Sequence, residues 1–209
     1  MTIDEGYTKF ACDWTRGKLP AFDGMAELRR WRRVLVDAGL IGYYEEHQVG
    51  FGNISVRVDA GPSFLISGTQ TGHLADVDER HFALVTEVDT ARNRVHCRGP
   101  VQASSESMTH AALYQIDAHI NAVVHVHSDV LWNCHLGLLP TTSQDIAYGT
   151  PDMADEFARL YNETAFRSGG VAVMGGHEAG LVSIGRNLPE ATLRILDLQQ
   201  GLRAGRDPS

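Results

Sequence analysis

Ala122-Val123-Val124-His125-Val126-His127-Ser128 is the stretch on which the reading of this chain turns. Three valines in five residues favour a strand. In a strand, residues i and i+2 project to the same face, with backbone positions about 6.5–7 Å apart. His125 and His127 therefore share one face of an otherwise apolar strand, where burial leaves their ring nitrogens to be satisfied. A shared divalent cation does that for both rings, since neutral imidazole suits zinc and also manganese, iron or cobalt. Two core histidines bonded to backbone are the plainer alternative. A catalytic metal of this kind takes a third protein ligand and keeps one position open. Of the ten histidines, His177 fits best, because it follows Val171-Ala172-Val173-Met174-Gly175-Gly176 in a glycine-flanked turn that can present a side chain at a sheet edge. His135 belongs to a helix leading away, and His119 is expected to face solvent.

Working outward, helical and strand patterns alternate. Met25, Leu28, Trp31, Val34 or Leu35, and Ala38 recur at helical spacing, with Arg29, Arg30, Arg32 and Arg33 on the other faces and Gly39 at the stop. The arginines read as a solvated helix face. Residues 54–58, 64–67, 82–88 and 94–97 read as strands. Ser104 stands where an N-cap belongs, ahead of a helix to Ile116. Thr150-Pro151 opens a helix to about Phe166. Residues 171–174 and 181–184 read as strands, and a last helix runs from Asn187 to about Leu202. Strands both clustered and alternating with helices predict an α/β fold, a three-layer α/β/α domain around a mixed sheet. A single domain over residues 1–209 is expected, with 1–20 and 203–209 loosely held.

Composition narrows the function classes. Hydrophobic residues make up 43% and charged residues 21%, which excludes wholesale disorder. Lys and Arg number 18 against 26 Asp and Glu, a net charge of −8, so nucleic acid is not an expected partner. No apolar run approaches the ~18 residues of a membrane span, and the acidic start lacks a signal-peptide core, so a cytoplasmic protein is expected. Cys12, Cys97 and Cys134 form no CxxC pair and are expected to be reduced and mostly packed thiols.

Two further groups of residues carry chemistry. Glu106 lies in the first turn of the helix after Ser104-Ser105, where a carboxylate either complements the helix dipole or, beside a dication, serves as ligand or general acid/base. His110 follows at i+4 on the same face and either orients Glu106 or packs in the core. Three turns, Gly50-Phe51-Gly52-Asn53, Ser67-Gly68-Thr69-Gln70-Thr71-Gly72 and Ser104-Ser105, supply small residues, hydroxyls and free backbone N–H groups. Together they suit a phosphate or carboxylate cradle built without lysine.

With these elements in this order, the chain resembles the class II aldolase/adducin family, of the fuculose-phosphate aldolase type. The resemblance runs from about residue 25 to 200 through Gly52-Asn53-Ile54-Ser55, the turn at 67–72, Ser104-Ser105-Glu106 with His110, Asn121 to Ser128, and the late His177 before Gly180-Leu181. It implies an α/β/α subunit with a central mixed, largely antiparallel sheet, in a homotetramer with active sites at subunit interfaces. It also implies Zn²⁺ (or Mn²⁺, Co²⁺ or Fe²⁺) on His125, His127 and His177, and Glu106 as the catalytic acid/base. The phosphate-holding positions map onto Gly52, Asn53, Ser67 or Thr71, Gly68 or Gly72, Ser104 and Ser105. The family's catalytic tyrosine falls near Gln144, and Tyr148 lies four residues later. The implied activity is a lyase of carbohydrate metabolism that cleaves or forms a C–C bond in a small sugar phosphate or related oxyacid through a metal-stabilised enediolate. Dehydratases, epimerases and decarboxylases share the site, and the adducin head shows that the fold also serves as a non-catalytic scaffold.

Overall fold

A computed structural model describes residues 8–205. In chain order the elements are β1 (Ala11–Arg16), α1 (Met25–Asp37), a small hairpin of β2 (Gly42–Tyr44) and β3 (Val49–Phe51), β4 (Asn53–Arg57), β5 (Phe64–Ser67), β6 (Phe82–Asp89), β7 (Arg94–Gly99), α2 (Ser107–Ile116), β8 (Ala122–His127), α3 (Asp129–His135), α4 (Pro151–Glu163), α5 (Phe166–Gly169), β9 (Val171–Val173), β10 (Gly180–Gly185) and α6 (Leu188–Arg203). Eight strands make one sheet in the order β1-β7-β6-β5-β4-β8-β10-β9. Every neighbouring pair in it is antiparallel except β1 and β7.

The strand carrying the paired histidines lies inside this sheet, with every residue buried. Its period of two divides the core. Val123 faces a cluster with Met108, Leu113 and Tyr114 of α2, Met153, Phe157 and Leu160 of α4, and Phe166 of α5. Ala122, Val124 and Val126 face the other cluster, with Leu28 and Leu35 of α1, Leu131 of α3, and Leu188, Ala191 and Ile195 of α6. Helices thus cover both faces, and the expected three layers around a largely antiparallel sheet are present. Among the described residues, no helix is long and apolar enough to cross a membrane.

Local signals act as anticipated at several ends. The Thr150 hydroxyl accepts from the Met153 N–H at 3.3 Å with Pro151 opening α4, and Asn187 Oδ1 accepts from the Glu190 N–H at 2.9 Å. Ser104 differs from expectation, because Glu106 occupies the cap position of α2 and makes no side-chain cap bond there. Ser104 instead folds the approach, accepting from the Glu106 N–H at 3.3 Å, while its carbonyl takes the Ser107 hydroxyl at 2.7 Å. α4 stops at Glu163 rather than near Phe166, since Thr164 is extended and its hydroxyl takes the Leu160 carbonyl at 2.6 Å.

Two expectations are corrected. Residues 11–16, read as part of a loose terminus, form β1, whose Ala11 to Arg16 run parallel to Arg94 to Gly99 of β7. Arg32, read as part of a solvated face, is only 1% exposed. Its guanidinium donates to the carbonyls of Leu74 at 2.7 Å and Thr71 at 2.6 Å, tying the 67–74 loop to α1, and burial lowers its pKa to about 10. Residues 1–7 and 206–209 of the two expected loose termini lie outside the described residues.

Candidate metal centre and its surroundings

β8 is held between β4, where Asn53 stands opposite His125, and β10, where Val182 and Gly180 stand opposite His125 and His127. This double pairing fixes both imidazoles on one face, as i, i+2 spacing requires. His177 arrives on the turn between β9 and β10. That turn is closed by backbone bonds from the His177 N–H to the Met174 carbonyl at 3.2 Å and from the Gly180 N–H to the His177 carbonyl at 2.9 Å. A Cβ at Gly180 would stand 2.7 Å from His177 Cδ2, so glycine there leaves room for the ring.

The three rings converge. His127 Nε2 lies 3.0 Å from His125 Nε2 and 3.1 Å from His177 Nε2, and all three side chains are buried. Ligands at a tetrahedral zinc are about 3.3 Å apart for bonds of ~2.0–2.1 Å, close to this spacing. Protonation states fit as well. The Leu181 carbonyl, 3.2 Å from His125 Nδ1, can only accept, so Nδ1 carries the proton and Nε2 is left as a lone pair. Tyr44 Oη stands 3.3 Å from His127 Nδ1, the corresponding outer contact on the second ring. Burial, and then the neighbouring imidazoles, push His125 and His127 well below the usual histidine pKa, so both rings are neutral. Three imidazole nitrogens aimed at one point are a ligand set for a divalent cation. Among the described residues this is the one group of three potential ligands brought together in that way. The other histidines named above behave as expected: the His135 ring bonds the Leu131 carbonyl of its own helix at 2.9 Å, and the His119 side chain is exposed.

Glu106 closes the site from α2. Fully buried at the start of α2, it makes no side-chain cap bond, and its Oε1 lies 3.7 Å from His177 Nε2. Tyr148 is also fully buried, and its ring packs 4.3 Å from that of His177, centroid to centroid. The Lys9 ammonium sits 4.0 Å from the centroid of the Tyr148 ring. Tyr44 and Lys9 escaped the sequence reading, and Phe51 entered it only as part of a turn. Phe51, on β3, stacks 5.6 Å from the His127 ring and 4.4 Å from that of Tyr44. Alternation around Gly50 and Gly52 was the available signal for that hairpin.

The residues anticipated as an anion cradle form a rim along the same edge, though with different chemistry. Asn53 neighbours His125, and its buried Oδ1 has no partner among the described residues. Gly52, at φ +73°, lets the backbone pass Ile41 and the carbonyls of Leu40 and His125. The Ser104 N–H bonds the Ser67 carbonyl at 3.2 Å, and Gly68 bridges Ala103, which brings the 67–72 and 103–105 segments together. Gly72 packs on Gly42 and Gly50 of the hairpin. The hydroxyls of Ser67, Thr71 and Ser104, by contrast, are engaged within the chain. Ser67 Oγ lies against the Ile54 backbone at 3.3 and 3.4 Å, and Thr71 donates to the Gly68 carbonyl at 2.8 Å. Ser105 is buried beside Gly149.

Comparison with known proteins agrees with this architecture. The structure of L-fuculose-1-phosphate aldolase from Thermus thermophilus superposes with a TM-score of 0.58 at 22% identity, covering 88% of this chain and 97% of that one. YgbL from Escherichia coli, described as a putative aldolase/epimerase/decarboxylase, gives 0.63 at 19% identity with 86% of each chain covered. A sugar-phosphate aldolase from Thermotoga maritima gives 0.61 at 16% identity, covering 89% and 97%. No curated protein sequence matches. The family model for the class II aldolase and adducin N-terminal domain spans residues 35–204, from the end of α1 through α6. The chain that builds this three-histidine centre belongs to the class II aldolase and adducin family.

Proposed function

We propose that the protein is a zinc-dependent lyase of aldolase type, joining or cleaving a C–C bond in a small phosphorylated ketose. The observation that carries this reading is the convergence of three buried imidazoles beside a buried carboxylate. When bound, a divalent cation supplies Lewis acidity for negative charge developing on substrate oxygens. In the joining direction, Glu106 takes a proton from the carbon next to the ketone carbonyl. That carbon then attacks the aldehyde carbonyl, and the Tyr148 hydroxyl gives a proton to the oxygen so formed. Gly52 and Asn53, with the backbone of Gly72 and Ser105, hold the anionic tail, the N–H groups of Gly68 and Ser104 being bonded to the His81 and Ser67 carbonyls. Ser67 and Thr71 shape this edge through their internal bonds. The single-domain subunit acts as a cytoplasmic homotetramer with sites at its interfaces.

The test pairs elemental analysis with a panel of dihydroxyacetone phosphate plus aldehydes and the reverse cleavages on zinc-loaded enzyme. About one zinc per chain and two carbonyl products from a phosphoketose are expected. Dehydration, epimerisation or decarboxylation products would retain the site and replace the bond assigned to it. Metal-free protein inert across the panel would return the chain to the scaffold branch of the family. Glu106→Gln is expected to keep its metal and lose activity by about 10²–10⁴, the usual contribution of general acid–base catalysis.

A further inference from the structure

Behind the metal centre lies a hydrogen-bonded chain of buried side chains that the reaction above does not use. Ser55 Oγ, on β4, stands 2.7 Å from His110 Nδ1 and 2.7 Å from Tyr114 Oη, both on α2. His110 is fully buried, and its Nε2 has no partner among the described residues. A hydroxyl has one hydrogen and two lone pairs, so Ser55 donates to at most one of these neighbours, and accepting from both would leave its own hydrogen and His110 Nε2 unmet among the described residues. If His110 donated from Nδ1 and Ser55 donated to Tyr114, the buried Tyr114 hydrogen would have no acceptor, and Nε2 would be a second unsatisfied atom. In the reverse direction Tyr114 donates to Ser55 and Ser55 donates to Nδ1. Both hydroxyl hydrogens are then used, and only one group remains, an Nε2–H donor. Leaving such a donor unmet in the interior is costly.

The helix indicates what meets it. The His110 N–H bonds the Glu106 carbonyl at 3.1 Å, so the two side chains stand one turn apart on one face, with Thr109, at i+3, beside Glu106. Thr109 Oγ1 is likewise buried and has no partner among the described residues. A water needs two to four polar partners, and Nε2–H, Thr109 Oγ1 and the Glu106 carboxylate make three. We propose that His110 is a positioning residue, held as the Nε2–H tautomer by Ser55 and Tyr114, which orients the Glu106 carboxylate through one buried water shared with Thr109. The proposal rests on Glu106 being the proton carrier of the function proposed above.

Ring ¹⁵N NMR of the full, zinc-loaded chain labelled at histidine tests it without turnover, with the His110 signals assigned by their loss in His110→Gln. The expected result is a proton on Nε2 and a bare Nδ1, with the Nε2–H resonance displaced by Glu106→Gln. A proton on Nδ1, or an Nε2–H resonance indifferent to Glu106→Gln, overturns the proposal even if the enzyme proves to be an aldolase. The expected tautomer in a protein that binds zinc but cleaves no phosphoketose would count against the proposed reaction alone. In the active enzyme, His110→Leu should lower kcat about tenfold with KM and zinc content unchanged, within the range for outer-shell partners. His110→Gln, which offers an N–H near the same place, should recover part of the loss. An equal loss in both variants counts against a positioning role.

Discussion

At the residue scale, the centre depends on each imidazole presenting a lone pair. For His125 this is secured by the Leu181 carbonyl at 3.2 Å. His125→Ala removes a ligand and is expected to reduce bound zinc from about one per chain to near zero by elemental analysis, while the surrounding strand, packed on both faces, keeps the far-UV circular dichroism unchanged. His125, His127, His177 and Glu106 were legible in the sequence because strand periodicity and a glycine-rich turn are local patterns. Leu181, which orients the first ligand, was not, since a backbone carbonyl carries no signature and its placement depends on β10 pairing with β8. The segments expected to cradle an anion lie near one another, but their hydrogen bonding was less legible. That Ser67 and Thr71 spend their hydroxyls on Ile54 and Gly68 follows from close packing that residue type alone does not encode.

At the scale of elements, the arginines of α1 show where amphipathic reasoning fails. Arg33, paired with Asp37 and Asp76, keeps the solvated role assigned to it. Arg32 turns inward to satisfy two loop carbonyls, and charge pattern alone cannot tell a solvated guanidinium from one that finds buried acceptors. Arg32→Met would fill similar space, remove the donor to the Leu74 carbonyl and leave the Thr71 carbonyl with only the Leu74 N–H. A loss of about 2–3 kcal/mol in a urea titration is expected, the range for unsatisfied buried groups and charge-assisted bonds. The strands at 64–67 and 122–127 were readable almost to the residue, being continuous apolar or β-branched runs. β1 was not, because Ala11-Cys12-Asp13-Trp14-Thr15-Arg16 is mostly exposed and has no buried face to give it a period. Its strand character comes from pairing with β7, which also brings Cys12 and Cys97 within 3.5 Å, sulfur to sulfur. The pairing partner lies about eighty residues away, beyond any local window.

At the scale of the molecule, buried neutral histidines link stability to pH. Burial lowers His110 to about 3 and takes His125 and His127 well below 6.5. The unfolded chain therefore binds protons that the native chain does not, once the pH falls below about 6.5. Stability of the metal-free protein should be full above that value and decline as the pH falls toward the native pKa values, by up to about 1.4 kcal/mol per pH unit for each such histidine. Denaturant midpoints between pH 7.5 and 5 measure this, and a flat profile would mean that the rings are accessible to protons. Zinc at 100 times its dissociation constant should add about 2.7 kcal/mol at neutral pH, read as a higher melting temperature that a chelator reverses.

The parallel pairing of β1 with β7 has one more consequence. Without residues 8–16, the flank of β7 would bare its amide and carbonyl groups to solvent, a template on which another chain's strand can add. A variant starting at residue 17 should therefore still bind zinc but form growing, concentration-dependent particles in light scattering. Residues 11–16 thus replace the bare flank of β7 with an edge strand that exposes Asp13 and Arg16, and charges along an edge discourage a further strand from adding.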